Sequence, residues 1–65
     1  MNEQELIKFR YINTIAEIEY SEHMDENWTL FHKGIDILKN RLEHENFNEF
    51  SDDERELLEE IMDNI

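Results

Sequence analysis

The stretch WTLFHKGIDILKNRL, residues 28–42, carries the most regular hydrophobic pattern of the chain. Its large apolar side chains step by three, four, three and four residues: Trp28, Phe31, Ile35, Leu38 and Leu42. This spacing places them on one face, which is typical of a helix packed against a core. The pattern predicts a helix, the second of the chain, from about Trp28 to Glu45.

Two further apolar residues and one glycine of this helix lie outside that face. Leu30 and Ile37 are seven residues apart and form a narrow second apolar stripe. Gly34 costs about 1 kcal/mol in the middle of a helix. Its presence indicates either the close approach of another backbone or a soft point in the helix.

Upstream, the segment from Gln4 to His23 predicts a first helix that is apolar on two sides. One stripe consists of Ile7, Tyr11, Ile15 and Ile18, and the opposite one of Leu6, Phe9, Ala16 and Tyr20. Such a helix usually lies at the centre of a structure or at an interface. A short strand over residues 7–11 is the alternative, because these residues also alternate, but residues 14–20 keep the helical spacing and favour a helix.

Two short segments interrupt the helical pattern. The first is Met24–Asn27, in which Asp25 or Asn27 could cap the second helix with a side-chain oxygen. The second is Asn46–Phe50, where the Asn residues favour a turn. Phe47 and Phe50 are predicted to close the end of the bundle.

The sequence Ser51-Asp52-Asp53-Glu54 has the form of a capping box, a strong local signal for the start of a helix. The third helix should run from Asp52 to about Asn64, with its apolar side chains turned inward: Leu57, Leu58, Ile61, Met62 and Ile65. With no Pro and one Gly, the chain is predicted to be a single all-α domain over residues 1–65. It would be a three-helix bundle or a helical hairpin with a short third helix.

The length of 65 residues and the absence of Cys limit what can stabilise the fold. Disulfides and thiolate sites are excluded, and domains this small are often stabilised by a partner. A second copy, giving a homodimer, or a target protein could fill that role. The acidic N-terminus is followed by no long apolar run, which predicts no secretory signal and a cytoplasmic protein, in the host cytoplasm if it is phage-encoded.

The net charge of −12 is concentrated in the last third of the chain. Residues 1–42 carry 8 acidic and 5 basic side chains, or −3, and residues 43–65 carry 10 and 1, or −9. Nucleic acid and anionic membrane would repel such a surface, whereas a basic protein would attract it. We therefore expect a basic protein partner, itself nucleic-acid-binding, and no direct contact with nucleic acid or membrane.

Seven carboxylates form the candidate partner-binding set: Glu49, Asp52, Asp53, Glu56, Glu59, Glu60 and Asp63. The six on the third helix average one charge per about 3 Å of helix axis. This is near the rise of roughly 3.4 Å per phosphate along one DNA strand. The acids of the first turn complement the helix dipole. Glu59, Glu60 and Asp63 do not, and they exceed what folding requires. A merely solvated face is the alternative interpretation.

The remaining titratable residues do not indicate a metal or catalytic site. Glu19/His23 and His32/Asp36 have the i, i+4 spacing of two ligands on one helix face, and His44 and Glu22 are further candidates, but no His pair, HExxH motif or EF-hand loop is present. Surface hydrogen bonds are the expected role of these residues. No nucleophile or phosphate-binding motif occurs either, so we expect neither a cofactor nor enzymatic activity.

These observations favour a small acidic inhibitor that binds a basic surface and competes with DNA or RNA, a nucleic-acid mimic. Phage-encoded blockers of host nucleases, polymerases or CRISPR effectors act in this way as a class, which is an analogy only. One alternative is a homodimeric helical adaptor or regulator that acts through apolar faces, with Tyr20, Leu30 and Ile37 as self-association residues. Another is an antitoxin that neutralises a basic toxin.

Overall fold

The computed structural model describes residues 2–65, which form three helices joined by two turns. α1 spans Glu3–Glu19, α2 spans Trp28–Glu43 and α3 spans Asp52–Asn64. The predicted all-α, three-helix fold is confirmed. None of these helices is both long and apolar enough to cross a lipid bilayer.

The central helix is α2, which packs against α1 and against α3, while α1 and α3 contact each other little. The buried core has six apolar side chains: Ile15 and Ile18 from α1, Phe31, Ile35 and Leu38 from α2, and Ile61 from α3. Half of them come from the middle of the stretch that predicts the second helix. Because that helix supplies the common surface, α1 and α3 are held together mainly through it.

The connection between α1 and α2 is longer than the sequence pattern predicts. α1 ends at Glu19 rather than His23, and residues 20–27 form turns. Asn27 occupies the N-cap position of α2, but its side chain donates a hydrogen bond to the His23 carbonyl (3.1 Å) instead of accepting one from the helix. The predicted side-chain cap by Asp25 or Asn27 is therefore wrong.

The C-terminus of α2 forms a Schellman motif. The amide of Asn46 donates to the Arg41 carbonyl (2.9 Å), and the amide of Glu45 donates to the Leu42 carbonyl (3.2 Å). This motif needs a left-handed residue just beyond the helix, a position usually held by Gly. Glu45 holds it here with φ of 50°, so α2 ends two residues earlier than predicted.

Three side chains predicted to face the core are exposed. They are Trp28 (56% exposed), Met62 (43%) and Ile65 (41%). Trp28 is the first residue of α2 and stacks on the ring of His32, with centroids 4.2 Å apart. Met62 lines a shallow groove that stays open because α1 and α3 do not close over each other, and Ile65 ends the chain.

The predicted role of the two phenylalanines in the second turn is confirmed. Phe47 and Phe50 both pack on Tyr11 of α1, with ring centroids 5.4 Å and 6.0 Å away. Phe50 also packs against the buried core. This aromatic cluster closes one end of the bundle.

Gly34 allows close contact between α2 and α3. A Cβ at this position would overlap the terminal Cδ1 methyl of Ile61, which is fully buried. The close approach expected at Gly34 is therefore made by a side chain, not by another backbone.

We expect Gly34→Ala to destabilise the protein by about 1 kcal/mol, because overlap with Ile61 outweighs the gain in helix propensity. Ile61→Val removes the overlapping methyl. It should cost about 1 kcal/mol in the natural sequence but little or nothing beside Gly34→Ala. Denaturant unfolding of the natural protein, the two single variants and the double variant measures this coupling. Additive changes in the free energy of unfolding would contradict it.

We also expect Glu45→Gly to be more stable than Glu45→Gln by about 1 kcal/mol. Both variants lose the exposed ion pair between Glu45 and Lys8 (2.9 Å), so their comparison isolates the cost of the left-handed backbone. Thermal and denaturant unfolding provide the measurement. Equal stabilities would show that no such strain exists at this residue.

Candidate partner-binding face

All seven carboxylates of the candidate set are exposed in the structure. The six on α3 are Asp52, Asp53, Glu56, Glu59, Glu60 and Asp63. At roughly 100° per residue they occupy an arc of about 120°, on the side of α3 opposite the buried Ile61. The sequence therefore places this acidic arc correctly on one face. Glu49 lies in the turn that leads into α3, and its side chain is also exposed.

None of these seven carboxylates forms an ion pair within residues 2–65. The ion pairs of this part of the chain use other acids: Glu19 with Lys39, Glu45 with Lys8 and Glu54 with Arg41. Glu26 lies next to His23. The acidic arc is thus not neutralised by the fold. Its carboxylates repel one another along the helix.

The turn before α3 is organised by Arg41, which is 7% exposed. Nη1 donates hydrogen bonds to the carbonyls of Asn46 (3.4 Å) and Asn48 (2.5 Å). Nη2 donates to the carbonyl of Glu49 (3.3 Å) and to Oε1 of Glu54 (3.1 Å). The planar guanidinium suits such a set of acceptors, since its donors are fixed in a fork. One side chain of α2 therefore holds both the turn and the start of α3.

The same Oε1 of Glu54 completes the predicted capping box. It accepts from the Ser51 amide (2.9 Å), and Oγ of Ser51 accepts from the Glu54 amide (3.2 Å). The Arg41 guanidinium also lies 4.3 Å from the centre of the Phe50 ring, a cation–π contact. The first turn of α3, where the acidic arc begins, is therefore anchored to α2 and not merely tethered by the turn.

Both charges of the Arg41–Glu54 pair are stabilised by their surroundings. The Ser51 amide, and next the Arg41 guanidinium, hold the pKa of Glu54 below its ordinary value. Burial acts to lower the pKa of Arg41, but the hydrogen bond to Glu54 and the polar side chain of Tyr11 outweigh burial and raise it. The pair therefore stays ionised at neutral pH.

The histidines do not gather into a metal site. His23 lies 3.6 Å from Glu26, whereas Glu19, its expected partner, pairs with Lys39 at 3.2 Å. His32 stacks on Trp28. Within residues 2–65, no group of three or more His, Asp or Glu side chains could hold a metal ion.

The three residues predicted for self-association lie in different environments. Tyr20 is 85% exposed, Leu30 packs against the buried core, and Ile37 is half-buried. Leu30 is therefore not the exposed anchor that the sequence pattern suggested. Other large apolar side chains of α1 are exposed instead, namely Leu6, Phe9 and Ile12.

Comparisons with known proteins provide no relative from which a function could be transferred. No protein-family model matches the chain, and no significant match was found among curated proteins or solved structures.

The depressed pKa of Glu54 predicts a specific loss of stability in acid. A carboxyl with a lowered folded-state pKa stabilises the fold above its unfolded pKa, near 4.3, and loses that contribution as the pH falls through the folded value. Glu54→Gln should thus cost about 1 kcal/mol near pH 7 and progressively less below about pH 4. Urea unfolding across this range measures it, with the exposed Glu56→Gln as control. A pH-independent difference would contradict the assignment.

Proposed function

We propose that this protein is a non-enzymatic inhibitor whose acidic arc on α3 binds a basic groove of a nucleic-acid-binding protein. Occupation of that groove excludes DNA or RNA, so the chain acts as a nucleic-acid mimic in the cytoplasm, where such targets work. The observation that carries the proposal is the arc itself: six exposed carboxylates on one face of one helix, none of them paired within residues 2–65.

The spacing of the arc supports competition with a phosphate backbone. From Asp52 to Asp63 the helix rises by eleven residue steps of roughly 1.5 Å, so the charges average about 3 Å apart along the axis. Phosphates along one DNA strand advance roughly 3.4 Å each along the duplex axis. A groove lined with Arg and Lys for such a strand therefore meets a similar density of negative charge along its length.

The anchoring of α3 supports the same proposal. Because Arg41 binds Glu54 and the turn before it, the acidic arc is presented in a fixed orientation relative to the bundle. Few groups of this protein then need to become ordered when a partner binds, and the entropic cost of association is lower. Charge-assisted hydrogen bonds from Arg to carboxylate, together with release of counterions, would supply the binding energy.

The test compares two variants with equal loss of charge. One changes four acids of the arc beyond the first helical turn to amides: Glu56→Gln, Glu59→Gln, Glu60→Gln and Asp63→Asn. The control changes four exposed acids elsewhere that form no ion pair in residues 2–65: Glu22→Gln, Asp25→Asn, Asp36→Asn and Glu43→Gln. Circular dichroism checks that both keep the fold.

The measured quantity is the concentration of the chain that releases half of a bound protein from immobilised DNA, using the DNA-binding fraction of a lysate from the source organism. The arc variant should need at least about tenfold more protein than the natural chain, and the control less than about threefold more. Direct binding of the chain to the released protein, measured without DNA, should weaken strongly between about 50 and about 500 mM NaCl. Equal potency of the two variants would instead favour a face that serves only solubility.

A further inference from the structure

The outer side of α1, opposite the residues that pack on α2, is apolar and uncovered. Leu6, Phe9, Ile12 and Tyr20 are 46%, 58%, 55% and 85% exposed. A single apolar residue on a surface is ordinary, but several along one helix face mark an interaction site. This side of the helix does not take part in the fold of the single chain.

The outer side has the spacing of a coiled-coil seam. Five residues step by three, four, three and four: Leu6, Phe9, Asn13, Ala16 and Tyr20. They fall within an arc of about 80°, which is the narrow a/d stripe of a helix that packs against one other helix. Ile12 flanks this seam. Its partner is therefore expected to be a helix of comparable length.

We propose that this partner is α1 of a second copy of the chain, packed antiparallel. Arg10 and Glu17 flank the seam at equivalent positions, each just after a seam residue. Neither forms an ion pair within residues 2–65. In antiparallel pairs, these flanking positions of the two helices meet each other. Arg10 of each copy would then meet Glu17 of the other, giving two symmetric ion pairs.

This pairing selects one register. Phe9 lies opposite Tyr20 of the second copy, forming two aromatic contacts, and Asn13 lies beside the small Ala16. Shifting the helices by one heptad would place Arg10 against Arg10 of the second copy, and like charges there are unfavourable. A parallel arrangement would bring together the acidic first turns of both copies, which contain Glu3 and Glu5.

The acidic arcs of the two copies do not oppose this association. The seam faces away from α2, and α3 packs on α2 with little contact to α1, so the densest charge of each copy lies away from the interface. In this register residues 10–19 of the two helices overlap, so the contact strip is about 15 Å long and about 10 Å wide. This is far smaller than a standard stable interface of roughly 800 Å² per partner, so we expect a weak dimer that forms mainly at the upper end of the concentration range.

Sedimentation equilibrium of the full chain, from about 5 to about 500 µM, tests the proposal. The mass should rise from 8.0 kDa toward twice that value. Phe9→Glu should abolish the rise, because it places a charge in the seam on a side chain that the fold leaves exposed. Ile65→Glu adds the same charge at an exposed apolar side chain just beyond the end of α3 and should leave the dimer intact.

Charge reversal tests the antiparallel register. Arg10→Glu and Glu17→Arg should each weaken the dimer about tenfold or more, and the double variant, which restores the net charge, should recover to within about threefold. Glu22→Arg controls for the altered net charge of Glu17→Arg. A chain that remains monomeric, a dimer broken by Ile65→Glu but not by Phe9→Glu, or a double variant as weak as the single ones would overturn the proposal.

Discussion

The hydrogen bonds of the Arg41 guanidinium connect α2 with the turn that follows it and with the first turn of α3. The turn between α2 and α3 contains backbone carbonyls that would otherwise depend on water, and three of them accept from this one side chain. The fourth acceptor, Glu54, belongs to α3 itself. Because a buried charge without partners is strongly unfavourable, Arg41 is stable only when the turn and α3 are in place. The interaction thus couples the docking of α3 to the folding of α2 and the turn.

The central position of α2 explains why this small protein has two surfaces of different chemistry. α1 and α3 each use one side to cover α2, and they contact each other little. The remaining side of α3 is densely acidic, and the remaining side of α1 is apolar. Since the two surfaces lie on separate helices, a partner on one does not obstruct the other. A dimer formed through α1 would therefore carry two acidic arcs, and binding to a target with two basic sites would be strengthened by avidity.

The sequence predicted the features that depend on local spacing. The core-facing stripe of α2 from Phe31 to Leu38, the capping box at Ser51 and the acidic arc of α3 all follow from helical periodicity and neighbouring residues. The structure contains each of them. The exposed Trp28 belongs to the same periodic pattern as Phe31. Its environment depends on where the neighbouring helices end, and periodicity does not contain that information.

The role of Arg41 could not be predicted for a related reason. Its partners are mainly backbone carbonyls, which carry no signal in the sequence, and its one acidic partner is thirteen residues away. The exposed left-handed Glu45 escaped prediction because Gly usually marks such a position. Likewise, the two-sided pattern of α1 predicted a central or interfacial helix but could not decide which. The packing of α2 between its neighbours settles that α1 is peripheral.

The contact between Gly34 and Ile61 has a consequence for recognising distant relatives of this chain. The Ile61 side chain fills the space beside Gly34, so a larger residue at position 34 is best accommodated by a smaller one at position 61. A homologous sequence with Ala or Ser at position 34 should therefore carry a shorter side chain, such as Val, at position 61. This compensating pair, 27 residues apart, would identify the fold even where the acidic and apolar surfaces have diverged.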